Sequence, residues 1–131
     1  MDNRGKRILL VDDEPDVLQI CTRALSRAGY DVRAADGPTQ ARGYLAQEHF
    51  DLAVLDIHMP EEDGISLLEH AHTVDPTLPA VLITGYPAVS TVLDSVRLNV
   101  HEFLVKPFTL KRLLEVVASG LAARGGSGGG F

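Results

Sequence analysis

Three aspartates, a threonine and a lysine are the residues of this sequence best suited to chemistry: Asp12, Asp13, Asp56, Thr84 and Lys106. Each follows a short apolar run. Asp12 and Asp13 come after Ile8–Val11, Asp56 after Leu52–Leu55, Thr84 after Ala80–Ile83, and Lys106 after Phe103–Val105. If those runs are parallel strands, their ends point the same way and the five residues meet on one rim. Two carboxylates ~4 Å apart repel by about 4 kcal/mol at an effective dielectric of ~20, so three of them need a cation or a proton. An all-oxygen acidic site without nearby Cys or paired His suits Mg²⁺, which keeps several waters and binds a few carboxylates together with phosphate. Lys106 supplies a compact cation for Asp56 or for a phosphoryl oxygen, Thr84 a hydroxyl, and Gly85 space and a backbone N–H for an anion. In that setting Asp56 is placed as a carboxylate nucleophile toward phosphorus, giving an acyl phosphate. The metal would offset charge on the equatorial oxygens during in-line transfer.

Taken singly, each residue has a plainer reading. An Asp pair after a strand is commonly a turn or helix-capping signal, and Asp56 before His58, Met59 and Pro60 resembles loop punctuation. Thr84 alone reads as a strand-end residue, and Lys106–Pro107 as a solvated turn. Their joint placement at the ends of four apolar runs, with the required chemistry, favours the functional reading.

The elements that must position these residues alternate in kind. Five short runs, Ile8–Val11, Asp31–Ala35, Leu52–Leu55, Ala80–Ile83 and Glu102–Val105, read as strands. Between them Pro15–Ala28, Pro38–Glu48, Ile65–Val74 and Val89–Leu98 have helical spacing, and Leu110–Ala123 closes the series. Three runs are almost continuously apolar, as strands buried on both faces are, whereas the second and fifth are polar enough for sheet edges. Five βα repeats with short loops predict a single α/β domain with a right-handed, doubly wound parallel sheet. Val17, Ile20, Ala24 and Ala28 mark one face of the first helix, with Gly29 just beyond its end. Pro38 suits the first turn of the second helix, and Asp75–Pro76 ends the third. Thr109 is the expected N-cap of the last helix, whose inward stripe is Leu110, Leu113, Leu114, Val117 and Leu121.

The bulk numbers set limits. With 131 residues, 45 % hydrophobic and 23 % charged, the chain suits one soluble domain with one core. No apolar run approaches the ~18 residues that span a bilayer, and Met1 to Lys6 lacks a signal peptide's apolar stretch, so a cytoplasmic location without membrane contact is expected. A net charge of −6 without a basic run argues against direct nucleic acid binding. Cys21 has no partner for a disulfide and reads as a core thiol. The segment 125–131 is nearly all glycine, so residues 1–124 are expected to form the domain and 125–131 a flexible tail or linker.

From about Arg7 to Ala122 the sequence resembles the receiver domains of two-component response regulators, the CheY-like superfamily. The markers are Leu10-Val11-Asp12-Asp13-Glu14-Pro15, Asp56-Ile57-His58-Met59-Pro60 with Gly64, Thr84-Gly85 and Lys106-Pro107-Phe108, which together are highly specific. The resemblance implies a flavodoxin-like (βα)5 domain with a five-stranded parallel sheet of order 2-1-3-4-5. It implies Asp56 as phosphoacceptor, and Mg²⁺ held by Asp13 directly, by Asp12 mainly through water, by Asp56 and by the His58 backbone carbonyl. Lys106 and Thr84 would hold phosphoryl oxygens. The implied donor is a phosphohistidine on a sensor histidine kinase or a phosphotransfer protein. A switch is implied as well: Thr84 shifts toward the phosphoryl group and Phe103 turns inward behind it. The change would be read on the surface of the fourth helix, fifth strand and fifth helix by an effector domain, a downstream protein or a second copy. On this reading the chain is a signalling phosphoacceptor that assists its own phosphorylation and dephosphorylation, and not an enzyme.

Some residues depart from the family's habits. Asn99-Val100 stands where a Gly-Ala pair is common; Asn can take the left-handed conformation, but Val is bulkier. Phe103 lacks a tyrosine hydroxyl. His49, His70, His72 and His101 are expected to be solvated, and His70 and His72, two apart on a helix, do not share a face. Three rival readings fit these residues less well. A pseudo-receiver serving as a phosphorylation-independent interaction module would be expected to lack one of the five residues, and all are present. An aspartyl phosphatase commonly has a second Asp two residues after its nucleophile, where His58 stands here. A flavin-binding protein needs a phosphate cradle where Asp12-Asp13-Glu14 would repel one. His58 and Tyr86 follow Asp56 and Thr84 by two residues, positions that in this family influence hydrolysis, and both are bulky. An aspartyl phosphate lasting minutes or longer is expected; decay within seconds in a dephosphorylation assay would contradict it.

Overall fold

Alternation along short strands decides which side of the sheet each residue serves. In β1 (Arg7–Val11), Leu9 and Val11 pack to one side, Ile8 and Leu10 to the other. β3 (Leu52–Asp56) divides likewise into Ala53 and Leu55 against Leu52 and Val54, and β4 (Ala80–Thr84) into Ala80 and Leu82 against Val81 and Ile83. Both sides are covered, which is why these strands are apolar nearly throughout. β2 (Asp31–Ala35) and β5 (Glu102–Val105) lie at the edges, as their polar residues implied. All neighbours pair in parallel, in the expected order β2-β1-β3-β4-β5. This computed structural model describes residues 4–86, 88, 93, 94 and 96–129.

α1 (Pro15–Arg27) and the C-terminal helix (Leu110–Gly129) cover the face that presents Ile8, Leu10, Val54 and Ile83; α2 (Pro38–Gln47) and α3 (Gly64–Val74) cover the other. Local chemistry fixes their ends. Gly29 takes φ +99° just past α1, a left-handed conformation in which a side chain would be strained. Asp63 caps α3 by accepting from the Ser66 N–H at 2.7 Å, and Thr109 caps the last helix through the Arg112 N–H at 3.0 Å. Asn99 has φ 55°, the left-handed geometry anticipated for it.

Several expectations need correction. The inward face of α1 is Cys21 and Leu25 with Val17 and Leu18 beside them, while Ile20 is 52 % exposed. Both stripes have helical spacing, and the spacing alone does not say which one meets the sheet. On the C-terminal helix Leu110 is exposed, and Val116 joins the buried stripe of Leu113, Val117 and Leu121. The backbone of the last helix runs on through Gly129, a conformation that glycine adopts at a cost of about 1 kcal/mol per residue relative to alanine. Of the helix expected at Val89–Leu98, residues 93, 94, 96 and 97 are helical, and the others up to 95 lie outside the described residues apart from its end at Leu98. No helix among the described residues is long and apolar enough to cross a membrane.

At the N-terminal ends of β3 and β4, Arg124 ties the last helix to two loops. Its guanidinium donates to the carbonyls of Phe50 and Asp51, each at 3.2 Å, and to Asp75 Oδ2 at 2.7 Å. Asp75 also accepts from the Thr77 N–H at 3.1 Å. Burial pushes the Asp75 carboxyl upward, but the hydrogen bonds from Arg124 and Thr77 outweigh it and hold the group below its ordinary 3.8. A depressed carboxyl contributes stability above its unfolded value and loses it as pH falls through the folded one. Asp75→Asn is therefore expected to cost about 1 kcal/mol at pH 7, with the deficit shrinking below about pH 4; urea denaturation across that range checks it.

Candidate functional site

β1 and β3 are neighbours, with Val11 opposite Leu55, although β2 intervenes between them in sequence. The chain reverses its direction of travel across the sheet there, and the loops leaving the two strand ends diverge. Asp12 leaves β1 and Asp56 ends β3 at that point. One oxygen from each of Asp12, Asp13 and Asp56 lies within 4.8 Å of the others. Asp12 and Asp56 are buried and Asp13 is half-buried. Asp12 Oδ1 accepts from the Glu14 N–H at 2.8 Å, and Asp56 Oδ1 from the His58 N–H at 3.0 Å. Asp12 Oδ2 is buried and no hydrogen bond reaches it among the described residues, its one close cation being Lys106 Nζ at 3.2 Å.

Lys106 reaches this cluster from the end of β5, with Nζ 3.4 Å from Asp56 Oδ2 and 2.6 Å from Glu14 Oε1. Its N–H donates to the Thr84 carbonyl at 2.8 Å, which continues the β4–β5 ladder by one residue and fixes where the side chain departs. Burial pushes the Asp56 carboxyl up to about 6; the His58 N–H opposes this, Asp12 adds to it and Lys106 opposes it. Burial also works against charge on Lys106, yet Glu14, Asp12 and Asp56 hold its ammonium well above the ordinary range. At an effective dielectric of ~20, each carboxylate pair at about 4.8 Å repels by roughly 3–4 kcal/mol, and one lysine cannot offset three such charges. The orphaned Asp12 oxygen and the all-oxygen donor set fit a hard divalent cation.

Thr84 is buried at the end of β4, one residue beyond Ile83, which pairs with Asp56. Its Oγ1 accepts from the Tyr86 N–H at 2.9 Å and lies 3.3 Å from His58 Nε2. Asp12, Asp13, Asp56, Thr84 and Lys106 thus meet on the rim as expected. Phe103 does not join them. It sits two residues back from the end of β5, half-buried against the core on the α2–α3 face. Tyr86 is 83 % exposed and gives the carboxylates no cover in this arrangement, which leaves His58 as the bulky neighbour. His72, expected to be solvated, is half-buried with Nε2 3.0 Å from the Leu78 carbonyl, because the chain turns back toward β4 beside it. His101 is likewise half-buried, 2.8 Å from Ser119 Oγ.

The model of the response regulator receiver domain matches residues 8–118. The chain belongs to this family. It is 40 % identical over 118 residues to the response regulator receiver protein CpdR of Brucella abortus, covering 90 % of this chain and 98 % of that one. It is 35 % identical over 119 residues to the response regulator protein PilR of Pseudomonas aeruginosa, covering 91 % of this chain but 27 % of PilR. The chain therefore spans about a quarter of PilR and almost all of CpdR. A CheY-like receiver domain from Methanospirillum hungatei superposes with a TM-score of 0.89 at 30 % identity, over 94 % of this chain and 98 % of that one.

Two features of this receiver domain were not singled out from sequence. Glu14 makes the shortest ion pair of Lys106, which nothing but its place beside Asp13 could have indicated. The requirement for Gly64 is steric. A Cβ there would meet the Asp56 carbonyl oxygen at 2.4 Å and the Asp56 C and Ile57 Cα atoms at 3.0 Å, all of them backbone. The Gly64 N–H also donates to the Ile57 carbonyl at 2.9 Å, so the start of α3 is pressed against the segment that carries Asp56. Gly64→Ala is expected to destabilise the domain by about 1–3 kcal/mol. Gly43→Ala on α2, where a Cβ meets nothing within 4 Å, should be neutral or slightly stabilising. Paired denaturation curves for the two variants check this.

Proposed function

We propose that this receiver domain takes a phosphoryl group onto Asp56 from the phosphohistidine of a sensor kinase or phosphotransfer protein, and that the acyl phosphate switches a surface read by an output domain or partner. The observation that carries this reading is the carboxylate trio, two of its members buried, with Lys106 against Asp56 Oδ2. Asp13 would hold Mg²⁺ directly and Asp12 mainly through water, together with Asp56 and the His58 carbonyl; when bound, the ion supplies charge neutralisation at the phosphoryl oxygens. An Asp56 carboxylate oxygen bonds to phosphorus as the phosphorus–nitrogen bond breaks, and the electron pair leaves with the imidazole, which takes up a proton. With its carboxyl at about 6, Asp56 is mostly ionised at neutral pH and ready to attack. The Lys106 ammonium and the Thr84 hydroxyl then each hold a phosphoryl oxygen.

The switch follows from what Thr84 must leave behind. Moving toward the phosphoryl group takes its hydroxyl away from the Tyr86 N–H and from His58, and Phe103 moves into the space released. Leu93, Val96 and Val105 are exposed apolar residues on the surface expected to read this change, and they suit contact with an output domain or a second copy. Acting as a signalling domain and not as an enzyme, the receiver would operate in the cytoplasm, and its negative charge leaves any nucleic acid contact to another domain.

Intact-protein mass spectrometry after incubation with acetyl phosphate tests the reading. A single phosphate adduct is expected with Mg²⁺, none with EDTA, and none for Asp56→Asn. If acetyl phosphate gives no adduct, a phosphorylated histidine kinase is the second donor. Failure with both would favour a pseudo-receiver, acting through contacts that do not depend on phosphorylation.

A further inference from the structure

The shortest ion pair of Lys106 is made neither with the phosphoacceptor nor with Asp12. Nζ donates to Glu14 Oε1 at 2.6 Å, against 3.2 Å to Asp12 Oδ2 and 3.4 Å to Asp56 Oδ2. Glu14 occupies the N-cap position of α1, with φ −86° and ψ 112°. That extended conformation is the one Pro15 favours in the residue before it. The Glu14 N–H is fixed on Asp12 Oδ1 at 2.8 Å. A side chain at an N-cap ordinarily gives an oxygen to the free N–H groups of the first turn. Glu14 caps nothing, and its carboxylate goes instead to a lysine 92 residues away. The Glu14 side chain is 58 % exposed, so the pair forms in high dielectric and releasing it shifts an equilibrium by no more than about fivefold.

We propose that Glu14 competes for Lys106: in the unphosphorylated domain it draws the ammonium closer to itself than to Asp56, with which it shares it, and phosphorylation exchanges Lys106 from Glu14 to a phosphoryl oxygen. Glu14 is thus a positioning residue that acts through Lys106 and sets part of the threshold for switching. This rests on Asp56 being the phosphoacceptor. Asp56 Oδ2 and Glu14 Oε1 share one compact cation whose three donors rotate freely. A phosphoryl group, with a charge of about −1.5 to −2, outbids a single exposed carboxylate for it.

Trifluoroberyllate adds to a carboxylate as a phosphoryl mimic that does not hydrolyse, and ¹⁹F NMR titration reads its apparent affinity without any turnover. Wild type, Glu14→Gln and Glu14→Asp would be titrated in Mg²⁺ shown to be saturating for each, with thermal melting to verify the fold. Gln removes the charge. Asp keeps it but is one methylene shorter, and as a strong N-cap it turns onto α1 and away from Lys106. Both variants are expected to bind trifluoroberyllate about two- to fivefold more tightly than wild type. A gain for Gln but none for Asp would mean that Glu14 merely repels the anion, and would overturn the competition. Equal affinity in all three would overturn it too. No adduct on wild type would instead remove Asp56 as the phosphoacceptor, and the inference with it.

Discussion

Asp12, Asp13 and Asp56 bring three negative charges within 4.8 Å of one another, and Lys106 brings one positive charge to meet them. Burial makes this arrangement costly, since an ionised carboxylate without donors or a cation is among the least favourable groups a protein can enclose. Asp12 shows the imbalance most directly, with one oxygen tied to the Glu14 N–H and the other buried with only the shared Lys106 ammonium beside it. Such a cluster persists because it is over-determined from outside. Asp12 leaves a strand held between β2 and β3, Asp56 ends a strand held between β1 and β4, and neither can retreat without breaking a ladder. The two-sided core that fixes those central strands is what keeps the charges together.

The same constraint explains the crowded approach of α3. Asp56 is followed by a segment against which Gly64 is pressed closely enough to exclude a side chain, and the His58 N–H turns back onto Asp56 Oδ1. A looser loop would let the carboxylate swing toward solvent and relieve its repulsion with Asp12. Close packing removes that route and leaves the carboxyl raised to about 6, buried yet still ionised at neutral pH. The cluster is therefore held in place by the backbone around it, and the cation and phosphoryl group proposed for it would require little rearrangement of that backbone.

Much of this was legible in sequence, for identifiable reasons. Strand ends could be placed because each reactive residue directly follows a run of Leu, Ile, Val and Ala, and a parallel sheet converts that placement into proximity. Gly29, Asn99 and Thr109 could be assigned because their conformational preferences are local. What could not be read depended on contacts between distant elements. The turn of α1 that buries Cys21 and Leu25 but exposes Ile20 is set by the sheet it lies on, and both stripes have the same spacing. The steric role of Gly64 needs the path of the chain after Asp56, and the pairing of Glu14 with Lys106 joins residues 92 positions apart.

Two of the cations that cross between elements show how the sheet divides its duties. Arg124 lies at the N-terminal ends of β3 and β4, where its planar fork reaches two main-chain carbonyls, Asp75 and Thr77. A fork of fixed geometry suits a permanent strut, because each of its bonds constrains the next. Lys106 lies at the opposite, C-terminal ends, where a point charge on a flexible stem stands among Glu14, Asp12 and Asp56. An arginine there would fix one carboxylate in bidentate geometry and resist transfer to a new partner. A lysine shared among three can move between them at small cost, and that is the freedom the proposed exchange of charge at this end of the sheet would require.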